Sequence, residues 1–122
     1  MKQGQIVEAY KILLKLTDIP MDLKTAYNIM KMKRALEDQY RFEENEETKA
    51  FREWNGKFSK DRTKMQFPNP ESAQAFSDRV NELKNMEIDM ELNPFEIELT
   101  QDFKLSAKDM EALEGFIIFT EP

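Results

Sequence analysis

The chain contains no cysteine and no histidine. The first absence removes disulfides and thiolate nucleophiles, and the second removes the commonest general base and a usual zinc ligand. Only three glycines occur in 122 residues, Gly4, Gly56 and Gly115, too scattered to form a loop that cradles phosphate. No apolar run approaches the ~20 residues that span a bilayer. The N-terminal MKQGQIVEAYKILLKL also lacks an apolar stretch followed by a small-residue cleavage site. These absences predict a cytoplasmic chain with no membrane segment that folds without cofactor, metal or disulfide.

What is present describes a folded, well-solvated domain. Hydrophobic residues make up 40%, enough for a core, and charged residues 34%, enough for wet helix faces. Eighteen basic against twenty-four acidic residues leave a net charge of −6, which disfavours nucleic acid as a partner of the whole protein. A length of 122 residues suits one core, so the expectation is a single domain over 1–122.

The chain is organised around a long helical stretch from Asp22 to about Trp54, which holds no proline or glycine before Gly56. Such a helix is about 45 to 50 Å long, whereas a domain of this size has a radius of gyration of only about 14 Å, so one end is expected to project. It carries two apolar stripes, Leu23, Tyr27 and Met30 on one and Ile29, Met32, Leu36 and Tyr40 on the other. Ahead of it, Ile6, Ala9, Tyr10, Leu13 and Leu14 repeat at helical spacing between Gln3 and Leu16, and Pro20 with Asp22 as N-cap marks the turn between the two helices. Residues 1–56 therefore read as an antiparallel helical hairpin. Asn55-Gly56 suits either a helix end or a tight hairpin turn, and the helix end is the expectation.

Residues 57–122 read as a small sheet backed by two shorter helices. Lys57 to Lys64 is a polar, basic loop and Thr63 to Phe67 a short strand candidate. Asn69-Pro70-Glu71 opens a third helix by N-cap, first-position proline and first-turn acid, and Ala73, Phe76, Val80 and Leu83 form its inner face. Met86 to Leu92 alternates apolar and acidic residues, and Phe95 to Leu99 repeats the pattern beyond Asn93-Pro94, predicting two strands with one wet face. Ser106 caps a last helix that Gly115 ends, and Phe116 to Phe119 is a strand apolar on both faces, which should be covered. The fold class is α+β, a helical hairpin followed by a mostly antiparallel sheet.

Three constellations invite chemistry. Glu43, Glu44, Glu46 and Glu47 have helical carboxylate spacing, but with no histidine and no facing acidic helix they read as a solvated face that cannot be buried. Asp61 to Ser72 has oxygen ligands near calcium-loop positions, yet Gln66 stands where the turn needs glycine and Ser72 where it needs glutamate. Lys57, Lys60, Arg62 and Lys64 around Phe58 read as loop solubilisation. No catalytic, cofactor or metal residues follow from the sequence.

NPESAQAFSDRVNELKNMEIDMEL, then LSAKDMEALEGFI, and in the first half IPMDLKTAYNIMKMKRALE together resemble a group of small uncharacterised proteins encoded in tailed-phage and prophage genomes. The resemblance rests on ordered caps and apolar patterns over nearly the full length. It implies a viral or prophage role in host cytoplasm or in the virion, and supplies no site residues.

The expectation is therefore a non-enzymatic interaction or assembly protein acting through helix contacts. Its candidate interface is Met32, Leu36, Tyr40, Phe42, Phe51 and Trp54, with a protein partner or a second copy as occupant. The competing expectation is a small acidic inhibitor that occupies a nucleic-acid-binding surface of a host protein, motivated by the glutamate run and the acidic strand faces.

Overall fold

The computed structural model describes residues 1–99 and 104–122. Helix α1 runs Gln3–Leu16 and α2 Leu23–Glu53. With 31 residues and no break, α2 is about 46 Å long. Asp22 Oδ2 accepts from the Thr25 backbone N–H at 3.1 Å and so caps it. The two helices are antiparallel: Leu16 and Ile29 line one end of their contact, Tyr10 stacks on Tyr40, and Gln3 reaches Gln39 at the other end. The main core lies along this seam, from Ile6, Leu13 and Leu16 to Ile29, Met32 and Leu36.

The far end of α2 does not project as expected. A hairpin of β1 (Lys57–Phe58) and β2 (Met65–Gln66) and helix α3 (Pro70–Asn85) fold back over it. Phe51 meets Phe58, Phe67 and Phe76 at centroid distances of 4.8, 5.8 and 6.0 Å, forming a second, aromatic cluster. The turn that starts this return uses both residues of Asn55-Gly56, in unexpected roles. Asn55 takes the left-handed conformation, φ 54°, and Gly56 N–H bonds the Phe51 carbonyl at 2.7 Å. Glycine is needed at 56 for space: a Cβ there would lie 2.3 Å from the Phe51 ring.

Asn69 Oδ1 accepts from the Ser72 N–H at 2.8 Å and caps α3, as read from the sequence. Residues 86–92, expected as a strand, are extended but unpaired except for an antiparallel bridge between Lys2 and Glu87. The alternation marks burial from Ile88 on, with Ile88, Met90 and Leu92 against the core and Glu87, Asp89 and Glu91 outside, but Met86, expected on the same inner face, is exposed. Packing holds the apolar side in, and backbone bonds from Gln3 N–H to the Met86 carbonyl and from Ile88 N–H to the Met1 carbonyl tie down its start.

Strand β3 (Phe95–Glu98) pairs with β4 (Ile117–Thr120) in parallel, Phe95 opposite Ile117 and Ile97 opposite Phe119. This corrects the expectation of a mostly antiparallel sheet: its two strands are joined by a crossover through α4 (Ala107–Ala112), as parallel neighbours require. The architecture remains α+β. Ser106 Oγ caps α4 by accepting from the Asp109 N–H at 3.0 Å, and Gly115, at φ 87°, turns the chain so that Phe116 and Ile117 enter the core. Ile118 stays on the outside, so only one face of the terminal strand is covered.

Candidate interaction surface

The six residues expected to meet a partner separate into three environments. Met32 and Leu36 are buried in the α1–α2 seam and offer no surface; the sequence placed them on a stripe without showing that α1 is long enough to cover it. Tyr40 is half-buried under Tyr10, its phenol pushed above the usual range first by a hydrogen bond to Glu44 and then by burial. Phe51 and Trp54 are covered at home, Phe51 by the aromatic cluster and Trp54 by Arg79, whose guanidinium sits 5.6 Å from the ring centroid. Phe42 alone of the six is exposed, at 40%.

The more exposed apolar side chains of α2 are those of its other stripe. Leu23 is 87% and Tyr27 55% exposed, and Met30 is half-buried beside them. Leu23, Tyr27, Asp38 and Phe42 all fall on the outward side of the helix, opposite Ile29, Met32 and Leu36. Charge is divided along the same helix. From Leu23 to Leu36 there are Lys24, Lys31, Lys33 and Arg34 and no acid, whereas Glu37 to Glu47 carries six acids and one cation, Arg41. Lys31 Nζ lies over the Tyr27 ring, 5.5 Å from its centroid, so the basic half combines an aromatic with a cation. The signal for this surface was in the sequence, since the stripe of Leu23 and Tyr27 is visible there. Which stripe faces outward was not.

The glutamate run also departs from expectation. Glu44 is exposed and Glu46 and Glu47 half-buried, but Glu43 is 4% exposed, because α1 and α3 pack over it. It occupies a core position: Ile29, Leu36, Glu43 and Ala50 recur every seven residues and all four are buried. Burial, and then the neighbouring Glu47, push the Glu43 carboxyl above the ordinary glutamate range against the pull of Lys84 and Lys11.

Among the described residues no group of three or more acids is placed to hold a metal ion, and no helix is long and apolar enough to cross a membrane. The basic loop 57–64 forms the β1–β2 hairpin; Arg62 lies 5.5 Å from the Phe58 ring centroid, and Asp61 Oδ1 accepts from Ser59 Oγ and Thr63 Oγ1. No family model, no curated protein and no solved structure matches the chain.

Proposed function

We propose that the protein is a non-enzymatic interaction or assembly factor of the phage or prophage type, and that the outward stripe of α2 is its contact surface. The observation that carries this is the exposure of Leu23 and Tyr27 in the basic half of the helix. Apolar side chains ringed by cations suit a partner whose own apolar patch is ringed by acids. A second copy of the chain supplies one, since Phe42 is exposed beside the exposed acids Asp38 and Glu44.

When two α2 helices run antiparallel about a two-fold axis, one register sets Tyr27 against Phe42 of the second copy and Lys31 against its Asp38. Symmetry then makes each pair twice. Resemblance to small phage proteins, many-copy assemblies being common in particles, favours the same reading.

Light scattering or sedimentation at micromolar concentration tests it. The wild-type chain should exceed its monomer mass, Lys31→Glu or Asp38→Lys should return it to monomer, and the double exchange should restore association. A wild-type chain that stays monomeric, or a double variant that stays apart when each single variant does, overturns this self-association. Met32→Glu is unsuitable as a test, because Met32 is a core side chain.

The acidic-inhibitor reading draws on the exposure of Glu87, Asp89, Glu91, Glu96 and Glu98. A complex of that kind dissolves as salt rises and is displaced by duplex DNA. If DNA does not compete with the bound partner, this reading fails.

A further inference from the structure

Two polar side chains are out of water where α1, α2 and α3 meet: Gln3, fully buried, and Glu43. Gln3 Nε2 donates to the Gln39 carbonyl at 2.7 Å. In the uninterrupted α2 that carbonyl also accepts the backbone N–H of Glu43, so the Gln3 amide is held at the turn from which Glu43 projects. The amide cannot be turned over, since its oxygen would then face a carbonyl oxygen. Gln3 Oε1 therefore remains a buried acceptor without a donor, and Glu43 Oε1 is a second one.

Two buried acceptors at one turn are costly, because each gives up its hydrogen bonds to water and receives none in return. The charged groups that face Glu43 do not supply the missing donor. Lys11 on α1 and Lys84 on α3 are exposed, act on it only at a distance and make no ion pair with it, while Glu47 on α2 itself opposes a second negative charge. A single proton resolves both deficits, because a neutral carboxylic acid is a donor as well as an acceptor.

We propose that Glu43, when protonated, donates its proton to Gln3 Oε1, and that loss of this proton loosens the three-helix junction. The junction also anchors the N-terminus. Gln3 N–H bonds the Met86 carbonyl at 2.9 Å, Ile88 N–H bonds the Met1 carbonyl at 2.8 Å, and the Met1 ammonium reaches Glu87 at 3.1 Å. An ionised Glu43 faces the amide oxygen of Gln3, and the strain falls on the segment that Gln3 ties down. Because folding favours the neutral acid, the contribution is fully present below the unfolded glutamate value of about 4.3 and is lost as pH rises through the higher folded value.

The test is a carbon-detected NMR titration of the glutamate side-chain carboxyls, paired with the thermal stability of Glu43→Gln. The Glu43 carboxyl should titrate above a glutamate in a model peptide, and Gln3→Met should lower that midpoint by removing the acceptor. Glu43→Gln, neutral and able to donate to Gln3 Oε1, should melt at or above the wild-type temperature at pH 7, with its advantage shrinking toward pH 4. A Glu43 midpoint at or below the peptide value, or a Glu43→Gln chain that melts lower than wild type at pH 7, shows an ionised Glu43 working with Lys11 and Lys84 and overturns the proposal.

Discussion

The rings of Tyr10 and Tyr40 are stacked with centroids 4.5 Å apart and planes 24° from parallel, one from each helix of the hairpin. The pair joins the middle of α1 to α2 one residue beyond Gln39, whose carbonyl Gln3 also reaches. Stacked aromatic pairs contribute about 0.5–1.5 kcal/mol beyond the area they bury. Tyr40→Ala should therefore cost about 2 kcal/mol in urea unfolding, the half-buried area included. Tyr27→Ala on the same helix, measured at a concentration where the chain is monomeric, should stay within about 0.5 kcal/mol. Equal losses for the two would mean that Tyr40 is not packed as described.

Gly56→Ala should destabilise the chain although Gly56 has no left-handed φ, because the new methyl meets the Phe51 ring at 2.3 Å and that ring is held by Phe58 and Phe76. Overpacking of this kind costs about 1–3 kcal/mol. In a Phe51→Ala background the same substitution should cost almost nothing, and a double-mutant cycle measures the difference. If the two effects simply add, the ring is not what excludes the methyl.

Asp61 tests the β1–β2 turn through its titration. Its Oδ1 accepts from Ser59 Oγ at 2.6 Å, from Thr63 Oγ1 at 2.8 Å and from the Thr63 N–H at 3.1 Å, and these donors, Ser59 first, pull the carboxyl down to about 2. A lowered folded value means that the turn is stabilised above the unfolded aspartate range near 3.9 and loses that support as pH falls through about 2. Carboxyl NMR should find this low midpoint, and Thr63→Ala should raise it. An ordinary aspartate midpoint in the wild-type chain would show the turn to be unformed in solution.

Much of this architecture was legible because local chemistry and tertiary packing agree. The caps at Asp22, Asn69 and Ser106 each bond the N–H three residues on, and the helices begin where those residues predicted. The errors arose where a pattern reports burial and leaves the partner unspecified. Alternation from Met86 to Leu92 is the same whether the apolar side meets a strand or a helix, and nothing in Phe95 to Glu98 says that its neighbour will be Ile117 to Thr120 in parallel. Met32 and Leu36 read as surface in the sequence for a related reason: two stripes on α2 were visible, but only the position of α1 decides that these two are inside and Leu23 and Tyr27 outside. Glu43 was read by its chemistry as wet, while the seven-residue recurrence with Ile29, Leu36 and Ala50 placed it inside.

The terminal strand offers a comparison between neighbours that differ in burial. Phe116 is 1% exposed and lies in the main cluster with Leu113 and Ile97, whereas Ile118 is 49% exposed on the outer face of β4. Truncating a buried phenylalanine removes its transfer energy and leaves a cavity, together about 3–5 kcal/mol, a large share of the ~5–15 kcal/mol that holds a small domain folded. Phe116→Ala should lower the unfolding midpoint steeply, and deletion of Phe116 to Pro122 should abolish the cooperative transition. Ile118→Ala should cost under about 1 kcal/mol, since half of its surface is already in water. A truncated chain that still melts cooperatively would mean that β4 is an appendage and that β3 needs no parallel partner to close the core.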